Sequence, residues 1–120
     1  MDSVMDKVTP EQRWNAYAAA FSATAEDERE RLLEESVSED VVFTNPGGEG
    51  KTRAGLSAHI VNFQKTMPGA SFRTDKVYEH HRELLVVWSM HKQDGAKVAT
   101  GYNFIRTDAD GRFQYMAGFF

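Results

Sequence analysis

The last fifty residues constrain this chain most. From Ser71 to Phe120 the sequence runs in long strand-like stretches, broken only by short turn signals at His80-His81-Arg82, Asp94-Gly95 and Asp110-Gly111. The breaks mark out four strands of about nine to eleven residues each. Turns this short oblige neighbouring strands to fold back on one another, so antiparallel hairpins are expected. Strands this long twist and curl, which leaves a concave face for other elements to cover. The stretch Leu84 to His91 adds a second message. Leu84, Val86, Trp88 and Met90 fall on one side and Leu85 and Val87 on the other, so both faces are apolar. An antiparallel sheet with one wet face should alternate. The second face is therefore expected to be covered by another subunit, in a homodimer formed through the outer sheet face.

What covers the concave face comes from the first half of the chain. Thr9-Pro10-Glu11-Gln12 is a helix start: Thr9 can cap, Pro10 suits the first helical position and Gln12 completes a capping box. Trp14, Tyr17, Ala18 and Phe21 follow at helical spacing and give one apolar face. A second helix is predicted from about Ala25 to Val37, opened by Glu26, Asp27 and Glu28, whose charges suit the positive end of a helix dipole. Its buried side is thin, mainly Leu32, Leu33 and Val37, which makes it a surface helix. Val41-Val42-Phe43-Thr44 reads as a short strand, and Asn45-Pro46-Gly47-Gly48 ends it in a loop. A third helix begins near Thr52 and stops at Pro68-Gly69, with Leu56, His59, Ile60, Phe63 and Met67 on its inner face. Three helices against a curved antiparallel sheet make one α+β domain spanning residues 1–120, a size that supports a core of its own.

Charge and cysteine usage exclude several functions. The net charge is −4 with no run of Lys or Arg, so there is no basic stripe to displace counterions from nucleic acid, and anionic membrane surfaces are disfavoured for the same reason. No cysteine is present, hence no disulfide, thiolate chemistry or zinc ribbon. The apolar run Leu84 to Trp88 is far too short to span a bilayer, and Asp2 and Asp6 stand where a signal peptide would be basic. A cytoplasmic protein is expected, with no nucleic-acid, membrane or cofactor partner. A metal site is not expected either. His80 and His81 are adjacent, so within a strand they would face opposite ways, and His91, at a strand end near Asp94, is expected to be solvated.

The element order helix, helix, strand, loop, helix, four-stranded meander resembles the nuclear transport factor 2-like superfamily, whose cystatin-like α+β roll is a cone-like curved sheet covered by three helices. That group includes the SnoaL-like polyketide cyclases, ketosteroid isomerases and limonene-epoxide hydrolases. The features carrying the resemblance are Tyr17-Ala18-Ala19-Ala20-Phe21, Phe43-Thr44-Asn45-Pro46 and Met67-Pro68-Gly69. Trp88, Gly95, Gly101-Tyr102-Asn103 and Asp110-Gly111-Arg112 fit as well. The resemblance covers nearly the whole chain and implies a deep apolar pocket between sheet and helices. Ketosteroid isomerases use a helix tyrosine and a protonated aspartic acid as an oxyanion hole, and an aspartate before a proline to move the proton. Tyr17 matches the tyrosine, but the base position is Asn45 and the oxyanion position is similar to Asn103. An amide has no titratable proton, and losing such a base forfeits a factor of about 10²–10⁴, so steroid-type isomerisation is not expected. In the limonene-epoxide hydrolase comparison Asn45 fits the water-holding asparagine, with Phe43 where a tyrosine would sit. That mechanism needs two carboxylates, and the positions around Trp88 to Met90 and Met116 to Gly118 offer none.

Each candidate also has a plain structural role. Tyr17 can be a core tyrosine bonded to backbone, Asn45 can shape its own turn, and His59 can be a satisfied core histidine. Asn103, between Tyr102 and Phe104 in an apolar strand, needs a reason to be buried. The functional reading makes Tyr17, Asn45, His59 and Asn103 the polar groups of a pocket, with His59 the candidate base because imidazole titrates near neutrality. Trp14, Phe21, Phe43, Phe63, Met67 and Trp88 would line it, and Phe72 belongs to the same aromatic set. The expected ligand is a small, largely apolar carbonyl or aromatic compound, with weak isomerase, cyclase or dehydratase chemistry conceivable. The alternative is a non-catalytic homodimeric interaction module whose cavity is filled by its own side chains.

Overall fold

The computed structural model describes residues 8–120; Asp2 and Asp6 lie outside them. Helix α1 runs Pro10–Ala20 and opens on the expected capping box, Gln12 N–H donating to Thr9 Oγ1 at 3.1 Å and Thr9 N–H to Gln12 Oε1 at 2.8 Å. Helix α2 spans Glu26–Ser36, one residue short of the expected end. Val37, β-branched and extended at φ −120°, leaves the helix and begins strand β1, Val37–Asn45. That strand is about twice the length the Val41 to Thr44 run suggested, because Val37 already pairs with Phe113 of the last strand and the residues up to Val42 bridge a register irregularity.

Asn45-Pro46-Gly47-Gly48 was expected as a loop. It is instead a hairpin: β2, Gly48–Lys51, pairs antiparallel with β1, Asn45 opposite Gly48 and Phe43 opposite Gly50. Gly50 is required there, since a Cβ would stand 2.6 Å from the Phe43 ring. Helix α3 is Arg53–Thr66, capped by Thr52 through Gly55 N–H. The meander follows as β3 (Ser71–His80), β4 (Glu83–His91), β5 (Lys97–Thr107) and β6 (Phe113–Phe119). His81 and Arg82 make the first turn with both φ values positive, 50° and 68°, the geometry that suits the right-handed twist of a two-residue hairpin.

The sheet has six strands in the order β2-β1-β6-β5-β4-β3. It is mixed rather than wholly antiparallel. The last strand returns beside the first in the same direction, so β1 and β6 pair parallel while the other pairs are antiparallel. Register shifts at Thr74/Lys76, Met90/His91 and Arg106/Thr107 insert residues that bend the sheet. Helix α1 lies on α2 and β3, and α3 covers β1 and β2. The core between these layers contains Leu33, Val37, Val41, Leu56, Ile60, Ile105 and Phe113, all essentially without solvent contact.

Two groups of polar contacts fix the helices to that core. Arg29 Nε donates to Ser57 Oγ at 3.1 Å, and Ser57 donates to Glu30 at 2.6 Å, which joins α2 to α3. Helix α2 has no basic residue in its last turn, so its terminal carbonyls are met from elsewhere: Glu35 by Arg13 of α1, and Glu34 by Arg112 at 2.7 Å. No helix among the described residues is long and apolar enough to cross a membrane.

Candidate functional site

Between the helices and the concave sheet lies a cavity of about 310 Å³. An aromatic chain bounds much of it. Trp14 tilts against Tyr17 at 5.1 Å, and Tyr17 meets Phe21 edge-on at 5.2 Å. Phe21 meets Phe63 and Phe72 edge-on at 5.5 and 5.3 Å. Phe72 stands perpendicular to Trp88 at 5.1 Å, and Phe120 tilts against Trp88 at 5.7 Å. Helix periodicity delivers the first three rings and strand alternation the last ones. On β4 the parity of Trp88 also brings Met90 to the wall, and on β5 the parity of Asn103 brings Ala99.

All the predicted lining residues reach this wall except one. Met67 terminates α3 with φ −130° and is half-buried outside the cavity, because the helix ends before its side chain can turn inward. Thr44, Gly47, Met116, Gly118 and Phe120 are among the wall residues that sequence reasoning did not assign to the pocket. Glycine in mid-strand was the available signal for one of them, since it marks a close approach.

The four predicted polar side chains, Tyr17, Asn45, His59 and Asn103, line the cavity, and Thr44 joins them. Tyr17 is buried, and desolvation pushes its hydroxyl well above the ordinary phenol range, so it remains a neutral donor. It makes no hydrogen bond among the described residues. His59 is half-buried, with the Phe43 ring 5.7 Å and the Phe21 ring 6.5 Å away. Desolvation lowers its pKa, so it is uncharged at neutral pH. Asn45 takes both roles open to it: its Oδ1 accepts from Gly47 N–H at 2.8 Å, shaping the turn, while the side chain also lines the cavity. Asn103, 8% exposed, accepts from the Trp88 indole N–H at 3.0 Å. The two amides flank Gly118, where a Cβ would stand 3.3 Å from Asn103 Oδ1 and 3.5 Å from Asn45 Cβ. Trp14 Nε1–H, in the same wall, is buried with no acceptor among the described residues.

Among the described residues, no carboxylate, lysine or arginine lines the cavity. The wall can therefore donate hydrogen bonds to an oxygen and hold apolar surface, and His59 is its one group able to take up a proton near neutrality. No cluster of three or more potential metal ligands occurs among the described residues.

The remaining histidines differ from expectation. His80 and His81 do not diverge, because His81 has left the strand for the turn, and their Nδ1 atoms sit 3.2 Å apart. His91 is not solvated but 8% exposed. Its Nδ1 lies 3.1 Å from the Gly95 carbonyl, which can only accept, so Nδ1 donates there, and its Nε2 lies 3.1 Å from Ser89 Oγ, which also bonds Asp75 at 3.3 Å. That pairing closes the β4–β5 turn and lies apart from the cavity.

Comparison with known proteins agrees with this architecture. The family model for the SnoaL-like domain matches residues 14–116. A candidate isomerase of the SnoaL-like family from Agrobacterium tumefaciens superposes with a TM-score of 0.84 at 23% identity, over 91% of this chain and 94% of that one. A candidate polyketide cyclase from Sinorhizobium meliloti gives 0.70 at 17% identity, over 95% and 96%. TerC, co-crystallised with polyporic acid, gives 0.72 at 15% identity, over 93% and 92%. At these identities the solved structures establish the shared fold. No curated protein sequence matches the chain.

Proposed function

The chain belongs to the SnoaL-like domain family, and on that premise we propose that its cavity binds a small, largely apolar carbonyl or aromatic compound. The observation that carries this reading is the open volume of about 310 Å³, at the lower end of the range for small-molecule sites, walled by aromatic rings with a few convergent polar ends. Tyr17, Asn45 and Asn103 orient the ligand's oxygen, and Trp88 and Phe63 pack its body. A core filled by its own aromatics, as an interaction module would have, leaves no such space.

Where the protein acts on what it binds, isomerase, cyclase or dehydratase chemistry fits best. Each needs a carbonyl oxygen polarised and a neighbouring proton moved. Donors supply the first and neutral His59 the second. The candidate isomerase and candidate polyketide cyclase among the structural relatives favour the same classes. TerC, crystallised with polyporic acid, supports a small organic ligand for a fold of this kind.

A thermal-shift series with aromatic ketones of two to four rings tests the proposal. A ligand at a hundred times its Kd adds about 2.7 kcal/mol, roughly a 10 °C rise in Tm for a domain of this size. A series in which no ketone raises Tm would return the protein to the interaction-module reading.

The proposal includes a homodimer. Cross-strand neighbours Tyr78, Leu85 and Phe104 form one row on the outer face, and Val87, Tyr102 and Phe119 a second. Leu85, Tyr102 and Phe119 are 41%, 47% and 59% exposed. A second copy related by a two-fold axis covers such a face with the same face, which suits an apolar patch. A cytoplasmic setting belongs to the proposal too, in keeping with a chain that contains no cysteine.

A further inference from the structure

An asparagine amide has two ends of nearly the same shape and opposite hydrogen-bonding character. Which end meets a ligand depends on what holds the other. Asn103 is held by Trp88, whose indole N–H stands 3.0 Å from the amide oxygen. An indole nitrogen only donates, so the oxygen must face it and the NH₂ must point away. That NH₂ has no acceptor among the described residues and is not sealed from accessible space, although the residue as a whole is 8% exposed. The accessible space beside Asn103 is the cavity.

Trp88 is itself immobilised. Gly101 lies directly across from it in the β4–β5 pairing, and a Cβ there would fall 2.2 Å from the indole ring. The ring thus lies over bare backbone, with Phe72 perpendicular to it at 5.1 Å and Phe120 tilted against it at 5.7 Å. Turning the Asn103 amide over would place two donors against each other at 3.0 Å and break the only hydrogen bond either group makes among the described residues. Asn45, on the other side of Gly118, is committed in the same sense, its oxygen taken by Gly47 N–H at 2.8 Å.

We propose that Trp88 is a positioning residue that locks the Asn103 amide as a donor into the cavity, so that the site selects ligands presenting an acceptor oxygen over equally shaped ligands presenting an N–H. Gly101 makes the lock possible by leaving room for the indole. The inference rests on the cavity being a binding site and goes beyond it by assigning the polarity of the site to a residue on the next strand.

Three planar tricyclic compounds of nearly equal size test it: 9-fluorenone, with a carbonyl; carbazole, with an N–H in its place; and fluorene, with neither. Kd values are measured for the native protein and for Trp88→Phe, which keeps an aromatic ring and removes the N–H. The native protein is expected to bind fluorenone about tenfold more tightly than carbazole, the worth of one good hydrogen bond. In Trp88→Phe the fluorenone-to-carbazole ratio falls to about threefold or less, the remainder coming from Asn45, while the change in fluorene affinity reads the lost packing that all three compounds share and that cancels in the ratio. Equal native affinity for fluorenone and carbazole overturns the lock while leaving the pocket intact, as does an unchanged ratio in Trp88→Phe. No binding of any of the three overturns the pocket reading and this one with it. If Trp88→Phe does not fold, the native protein is followed by NMR during fluorenone titration. Movement of the Asn103 NH₂ resonances with the Trp88 indole N–H unchanged supports the lock. Movement of the indole N–H with the amide unchanged overturns it.

Discussion

His59 shows how the surroundings of a single residue set its chemistry. In sequence it is one of the inner-face positions of α3. In the fold it stands half-buried between Phe43 and Phe21 with its pKa lowered by desolvation. A histidine depressed in the folded state binds protons more weakly than in the unfolded chain. Its contribution to stability is therefore present above about pH 6.5 and is lost as pH falls through the depressed folded value. Replacing His59 by Gln is expected to flatten the Tm profile just below pH 6.5, measurable by calorimetry before the carboxylates titrate. With a substrate in hand, the same variant should lower kcat about 10²–10⁴-fold and leave Kd nearly unchanged. Unaltered turnover would remove His59 from the chemistry while leaving it in the wall.

At the scale of elements, helix α1 was legible because its signals are local. Thr9, Pro10 and Gln12 lie within one turn, and the apolar face repeats at helical spacing. Thr9→Ala, which removes the cap, should cost about 0.5–2 kcal/mol, read by urea denaturation with the m-value unchanged. The boundary between α2 and β1 was less legible. Val37 suits either a helix face or a strand, and pairing with Phe113 of β6 settles it. Strand β2 carried almost no signal of its own, Gly-Glu-Gly-Lys, and exists because β1 offers it an edge to pair with. Its glycines were read as a loop for good local reasons, yet Gly50 is there to admit the Phe43 ring.

The whole molecule presents two apolar surfaces from one sheet. The concave one is covered by helices and leaves the cavity; the convex one, with Tyr78, Leu85, Tyr102 and Phe119, faces outward. Leu85→Lys places a charge in the middle of that outer face. In sedimentation velocity at micromolar concentration the native protein is expected to run as a dimer of two 13.6 kDa chains and the variant as a monomer. A native monomer would mean that the apolar outer face has some other purpose.

Apart from β2, the order of helices and strands, the turns and the aromatic character of the interior follow from spacing and residue type along the chain. Each depends on neighbours within a few positions, and so the resemblance to SnoaL-like proteins is legible in the sequence alone. Tertiary structure alone decided what is long-range. The parallel pairing of β1 with β6 joins segments some seventy residues apart in sequence. Burial of His91, exclusion of Met67 from the cavity, and the convergence of Asn45 and Asn103 on Gly118 depend on how the strands bend and close. The orientation of an amide was legible least of all. Asn103 presents its NH₂ because Trp88, on another strand, can only donate, and no pattern within the strand that carries Asn103 encodes that.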